Sequence, residues 1–481
     1  MKSAKFKMRN GNCKIKNINP PLSPLTNPPT PPLLKGGRGG IIRWIGFAAI
    51  IFSIAVHADC LAGDTSFATP FSISHPDKKV SAPAIAVHED KVYISYIREE
   101  GDVYVTALST DGKSILPSVK VNDKSVPANG IHQSPGLALG AKGEIYIIWV
   151  SPREEGEFAA DIRFTRSMDG GRTFLPSIVI NDNQTMSSRG FESIAVGKDG
   201  VIFISWLDGR EKLVPGIEYG AGSAGIKQGR QGLSSAYFAR SSDGGKVFEK
   251  NIKLEDNACP CCRTALAVGQ DGAVYVSWRK VFEGDIRDMV VASSSDYGRT
   301  FNQPVVVSED KWAIQGCPHR GPSMAVDDKG LLYYTWYTEG SNGLPAIYLS
   351  MSTDRGKTFT AKQMLPSGDR VFPDHPRLAV NKDGIVYLVW EEKTPVLSKI
   401  MFATYKRDKG FSKPEQLSHG VRRSYDPVVV VGMERADHVG VNDGNTVALV
   451  QKVYVIWGHD EIRFTRTVLK IGKEQGAESK E

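Results

Sequence analysis

One line recurs seven times along this 481-residue chain: an aromatic residue, two positions, then Trp or Tyr, inside a short run of alternating character. It stands at Tyr93/Tyr96, Tyr146/Trp149, Phe203/Trp206, Tyr275/Trp278, Tyr333/Trp336, Tyr387/Trp390 and Tyr454/Trp457. Six of the eight tryptophans occupy its second place, so the line is a structural repeat and not an accident of composition. Period-2 alternation in short β-rich runs marks half-buried strands, and self-similarity of this kind outranks any local signal. Just upstream of each copy lies a small apolar strand: Ile85–Val87, Leu137–Leu139, Ile194–Val196, Leu266–Val268, Met324–Val326, Leu378–Val380 and Val429–Val431. Turns such as Lys198-Asp199-Gly200 and Lys382-Asp383-Gly384 join the two strands, and Asp-Gly is a hairpin signature.

A third strand follows, as at Ile162–Arg166, and runs into Ser167-Met168-Asp169-Gly170-Gly171-Arg172-Thr173-Phe174. The same segment recurs as Ser241–Phe248, Ser294–Phe301 and Ser352–Phe359, with weaker forms at Ser109–Gly112 and Arg407–Phe411. A fourth strand then closes each unit, as at Ser177–Asn181 and Val305–Ser308. Four antiparallel strands recurring at roughly fifty to seventy residues make an all-β chain, a β-propeller of four-stranded antiparallel blades. Seven units are counted between Val80 and Lys470, with six as the alternative. The seventh lacks its fourth strand, and a spare one, Pro70–His75, precedes the first. Its return to the last blade would close the ring and remove the edges that invite aggregation. Such a ring is expected to be a monomer.

The formal net charge of +7 is misleading about partners. Residues 1–43 carry nine Lys or Arg and no acid, which leaves 51 basic against 53 acidic side chains in the rest. No nucleic-acid partner is expected from that balance. Residues 1–40 read as a disordered extension or a misassigned start, and 41–58 as a secretory signal. There Arg43 precedes an apolar run ending in Val56-His57-Ala58. The folded part is expected at 70–470 and a disordered tail at 471–481. The location expected is periplasmic or secreted, with membrane attachment only through an uncleaved signal or a lipid on Cys60, whose flanking Asp59 makes a poor lipobox.

The Ser-x-Asp-x-Gly-x-Thr-Phe segments resemble the Asp-box, or BNR, repeats of the sialidase superfamily. The resemblance covers almost all of residues 80–467. It implies a propeller fold, and it places Asp169, Asp243, Asp296 and Asp354 in structural turns on the face away from any active site. Turn chemistry gives the same reading: the carboxylate accepts turn amides, Gly takes positive φ, and Phe covers the hairpin end.

Propeller ligands sit at the axis, where loops lead into the innermost strands. Aligned on the small apolar strands, one position there holds His132, Arg189, Cys261, His319, Pro373 and Ser424. Gln133, Glu192, Cys262, Arg263, Arg320, Asp374, His375, Arg377, Tyr425 and Asp426 stand close by. Polar groups converging on a concavity are the default binding-site hypothesis. The sialidase resemblance implies three arginines clamping a substrate carboxylate, a tyrosine nucleophile assisted by a carboxylate, and an aspartate acid/base. Arg189, Arg263, Arg320 and Arg377 are candidates for the clamp, and Glu192, Asp374 and Tyr425 for the rest. Two departures weigh against transferring those roles: no Phe-Arg-Ile-Pro motif stands near the first unit, and sialidases have six blades. The long glycine-rich loop Asp208–Ser234 follows the Trp206 strand and would overhang the same mouth, as a lid or as a mobile insertion.

Cys259-Pro260-Cys261-Cys262-Arg263 and Cys317-Pro318-His319-Arg320 align across units four and five. In an exported protein they could form disulfides, Cys259 with Cys317 foremost. Cys259, Cys261, Cys262, Cys317 and His319 also suit copper or zinc, and a reactive thiol pair is the third alternative. Three functions follow: a sialidase-like propeller binding a small-molecule, glycan or other acidic ligand, as a glycoside hydrolase; a periplasmic metal-binding or redox protein; or a non-catalytic binding scaffold.

Overall fold

The computed structural model describes residues 67–73, 80–98, 101–123, 128, 134–155, 159–212, 233–316, 318–368, 371–419, 423–435, 449–458 and 462–468. The expectations for residues 1–58, Cys60, His75, His132, Gln133, residues 213–232 of the glycine-rich loop, Cys317 and the tail 471–481 lie outside them. The described residues are all-β, with two short 3-10 turns at Arg210–Lys212 and Glu283–Asp285. They form antiparallel sheets in which the strands of each repeat pair in chain order. The first unit runs Val80–His88, Lys91–Arg98, Val103–Ser109 and Ser114–Lys120. Units three and four share one sheet through a single bridge between Ala258 and Lys280.

The seventh unit takes three strands from the end of the chain, Tyr425–Arg435, Leu449–Gly458 and Arg463–Val468. Its fourth comes from the beginning: Phe71–Ser72 pairs antiparallel with Arg463–Val468, Phe71 opposite Phe464 and Ser72 opposite Arg463. Phe67 extends the pairing by a bridge to Thr467, and the Ala68 amide donates to the Arg466 carbonyl at 2.9 Å.

The repeated aromatic line has a packing reason. Its two aromatics are three residues apart, so on a strand they face opposite sides of the sheet. The first points at the following unit and the second at the preceding one. Tyr93 therefore shares a buried cluster with Trp149, Tyr146 with Trp206, Phe203 with Trp278, and Tyr275 with Trp336. Tyr333 shares one with Trp390, and Tyr387 with Trp457. The series ends where it began, because Tyr454 of the last unit packs in one cluster with Tyr96 of the first. The first strands repeat this order, each touching the first strand of the next unit and Tyr425–Arg435 touching Val80–His88.

The Ser-x-Asp segments make one hydrogen-bonded turn. In the second unit Asp169 Oδ1 accepts from the Thr173 amide at 3.0 Å and Oδ2 from the Thr173 hydroxyl at 2.6 Å. The Ser167 hydroxyl donates to Asp169 and accepts from the Gly171 amide at 2.9 Å. Asp296 and Asp354 repeat the pattern, and Asp243 keeps the Ser241 hydroxyl and the turn amides but loses the second hydroxyl because Val247 replaces Thr. Phe248 and Phe301 then close edge-on against Phe164 and Phe238 of the preceding unit.

Replacing Trp278, which has no exposed surface, by Ala should cost about 3–5 kcal/mol of unfolding free energy in urea. The same change at Met168, 62 % exposed, should cost under about 0.5 kcal/mol. Equal effects would contradict the packing role given to the repeated aromatics.

Candidate functional site

Six residues at one equivalent place, three before the small apolar strand, line a single cavity: Ser134, Phe191, Arg263, Gly321, His375 and Asp426. They come in order from units two to seven, so the cavity lies where the leading ends of successive first strands meet. Its volume is about 370 Å³, the scale of a small-ligand site. The backbone is specialised at this place. The pairing of first and second strands slips between Gly190 and Ser193, between Asp374 and Arg377, and between Tyr425 and Val428. Inside those slips Phe191, His375 and Asp426 have φ of 59°, 46° and 50°. A bulge re-aims a side chain, and left-handed backbone at a residue other than Gly costs on the order of 1–3 kcal/mol, so such residues cluster at functional sites.

The rest of the polar wall is His319, Arg377, Glu391, Lys393, Thr394, Ser398, Arg423 and Tyr425. Arg263, Arg377, Arg423 and Lys393 face only two carboxylates, Glu391 and Asp426, so the cavity favours an anion. Lys393 is committed already, its Nζ at 3.0 Å from Glu391 and 2.8 Å from Asp374. Arg263 is held by carbonyls alone, donating to Glu192 O and Ser134 O at 3.2 Å each. Arg377 makes no ion pair with any described residue, and burial and the adjacent Arg263 charge push its pKa down to about 10. His375 Nδ1 lies 3.0 Å from Glu391 Oε1. Burial pulls the imidazole pKa down, but Glu391, Asp374 and Asp426 together raise it above its ordinary value. The ligand atoms of His375, Glu391 and Asp426 lie within 4.8 Å of one another. Lys393 and His375 already answer the Glu391 charge, so this trio offers a cation little.

Of the candidates for carboxylate chemistry, Arg263, Arg377 and Tyr425 line the cavity. The others belong to the frame around it. Arg189 is buried, with Nε at 3.1 Å from Asp208 and further bonds to Ala160 O and Thr185. Arg320 grips Asp374 with two parallel bonds of 2.6 and 2.8 Å and lies over the Tyr337 ring, so neither partner is free for substrate. Glu192 has no exposed surface and no hydrogen bond to either carboxylate oxygen, and burial raises its pKa. In the units of Arg189, Glu192 and Asp374 the strand pairing takes up one extra residue, and Phe191 and His375 inside the bulges are the side chains that reach the cavity. Sequence reasoning missed Glu391, Lys393 and Arg423. Glu391 follows Trp390 directly and Lys393 stands three residues after it, as Asp208 stands two after Trp206, and that spacing was the available signal.

Cys259, Cys261 and Cys262 are all buried and all free. Cys259 Sγ lies 3.6 Å from Cys261 Sγ and 3.7 Å from Cys262 Sγ. The Arg287 guanidinium donates to Cys259 Sγ at 3.2 Å. The two neighbouring thiols and Arg287 pull the Cys259 pKa down, while burial helps push Cys262 up. His319 is not in this group; it is in the cavity wall, on the other side of Phe191, which touches both.

No family model matches the chain, and no curated protein matches it. Solved structures do share its fold. An ulvan lyase, described as a new family of polysaccharide lyase and bound to -[GlcA(1-4)Rha3S]-, is 11% identical with a TM-score of 0.50, over 83% of this chain and 95% of its own. A protein of unknown function from Dyadobacter fermentans is 16% identical, TM-score 0.47, over 73% and 97%. A Hadza microbial sialidase is 14% identical, TM-score 0.43, over 79% and 76%.

The Asp374 cluster predicts a pH dependence. Burial would raise its pKa, but His375, Arg320 and Lys393 outweigh burial and hold it at about 2, below the ordinary 3.8. Its contribution to stability is therefore complete above pH 3.8 and is lost as pH falls through about 2. Asp374→Asn should cost about 3 kcal/mol at pH 7, by leaving Arg320 without its ion pair and Lys393 with Glu391 alone, and much less at pH 2. A loss independent of pH, read by urea unfolding, would contradict this assignment.

Proposed function

We propose that the seven units are the blades of one closed propeller of the sialidase superfamily, exported to the periplasm or secreted. We infer that it binds the carboxylate of an acidic sugar in the cavity at its axis. The observation that carries the reading is the Arg263–Arg377 pair. Two guanidiniums share one wall of a ligand-sized cavity, neither makes an ion pair with a described carboxylate, and burial and the Arg263 charge outweigh Asp426 and Glu391 in lowering the Arg377 pKa. Like charges placed side by side cost stability unless an anion joins them, and a carboxylate meets guanidinium with two parallel hydrogen bonds. Arg423 on the same wall supplies a third cation.

Hydrolysis in the sialidase manner would use Tyr425 as nucleophile, Glu391 as the carboxylate beside it, and Asp426 as acid/base. Glu391 lies against that segment, its Oε1 accepting the Asp426 amide at 2.8 Å. The roles given to Glu192 and Asp374 on the sequence thus pass to Glu391 and Asp426. A second reading, eliminative cleavage at a uronate, is favoured by two imidazoles in the same wall, His319 and His375. There the arginines would neutralise the carboxylate while an imidazole or Tyr425 takes the proton next to it.

The test is binding and turnover with purified protein. N-acetylneuraminate and glucuronate are titrated calorimetrically, a fluorogenic sialoside reports hydrolysis, and the ultraviolet absorbance of an unsaturated uronate reports elimination. Arg377→Ala should weaken the bound sugar acid by about 10–100-fold, the value of one charged hydrogen-bonding group. Stability of the unliganded protein should not fall, because Arg377 has no ion pair to lose and its removal relieves the repulsion with Arg263. Unaltered affinity in that variant, or no binding of either sugar acid by the native protein, would reject the reading.

A further inference from the structure

We infer that Cys259, Cys261 and Cys262 form a three-sulfur site for monovalent copper, buried behind the cavity wall. This is independent of the sugar-binding reading and rests on three observations.

The first is geometry. Cys261 Sγ and Cys262 Sγ lie 3.6 and 3.7 Å from Cys259 Sγ, and all three cysteines are free. All three sulfurs lie within 4.8 Å of one another. A metal bound at about 2.3 Å to each of three thiolates spreads them to roughly 3.8–4.0 Å, so the thiols need shift by only tenths of an ångström.

The second is coordination number. No further His, Cys, Asp or Glu atom joins the trio among the described residues, and the three cysteines are 1%, 5% and 0% exposed. A sealed three-sulfur pocket suits the soft monovalent ion, whereas zinc takes four ligands in structural sites.

The third is charge. Two buried arginines converge here. Arg287 donates to Cys259 Sγ, and Arg279, whose charge acts on Cys262, spends its own donors on the carbonyls of Arg287, Arg320 and Tyr337. Neither pairs with a carboxylate among the described residues; Asp288, near Arg279, is engaged by the Lys311 and Trp312 amides. Buried charges need partners. Three thiolates around one monovalent cation carry two negative charges, which the two guanidiniums match. Each ligating thiol gives its proton to solvent as the metal enters, and no electron is transferred.

The reduced full chain, stripped of metal under anaerobic conditions, is titrated with Cu(I) against a chromogenic Cu(I) chelator. One equivalent should be withheld from the chelator, and X-ray absorption should report a shell of three sulfurs. The variant Cys13→Ser/Cys60→Ser/Cys317→Ser should keep that equivalent and that shell, and Cys262→Ser should lose both. Arg287→Met should weaken Cu(I) at least tenfold with the three-sulfur shell intact. Three results would each overturn the inference: no Cu(I) retained by native protein, loss of binding in the triple variant, or zinc held in preference to Cu(I) with a fourth ligand. A Cys259–Cys262 disulfide in peptides from unreduced protein that binds no copper after reduction would overturn it as well.

Discussion

The described residues depend on antiparallel sheets packed face to face, each against the next. A four-stranded antiparallel sheet has two faces, and here both need cover. Each unit meets the need by sending one aromatic forward and another back, three residues apart on the same strand. Trp149, Trp206, Trp278, Trp336, Trp390 and Trp457 are buried in the clusters that result. The arrangement has no natural end, because a terminal unit would leave a face exposed. The chain resolves this by packing Tyr454 against Tyr96 and by borrowing Phe71–Ser72 as the outer strand of the last sheet.

That frame gives the cavity its position and its chemistry. Since units two to seven lead into their first strands at the same place, one residue from each is carried to the cavity whatever its identity. The repeat is conservative in its core and free at this place, which holds Ser134, Phe191, Arg263, Gly321, His375 and Asp426. Bulges in three of these units turn the side chains inward at the expense of left-handed backbone. The same frame divides the arginines. Arg189 and Arg320 neutralise buried Asp208 and Asp374 and stiffen the wall. Arg263 and Arg377 have no such partner and face the cavity.

Phe191 links the two chemically distinctive places in the protein. It lines the cavity, and it packs against the three cysteines behind it. The thiols are thus close to the cavity wall yet buried behind it, apart from its polar groups.

The sequence by itself determined the repeat, its four-strand hairpin logic, the turn role of Asp169, Asp243, Asp296 and Asp354, and the end of the units at which polar residues gather. These are local properties: alternation, Asp-Gly turns and carboxylates that accept turn amides are written within a few residues. Only the tertiary structure decided which of those polar residues face the ligand. Arg189, Arg320 and Arg377 look alike in sequence, and their partners Asp208, Asp374 and Arg263 lie on other strands or other units. A one-residue slip in strand pairing exchanges the faces of a sheet, and alignment of repeats does not register such a slip. Glu391 reaches the cavity from the second strand of its unit, opposite Asp374. The sulfur cluster was half legible: the three cysteines adjoin in sequence, but the two arginines that face them come from the strands Val274–Val281 and Arg287–Ser294, which only folding brings to them.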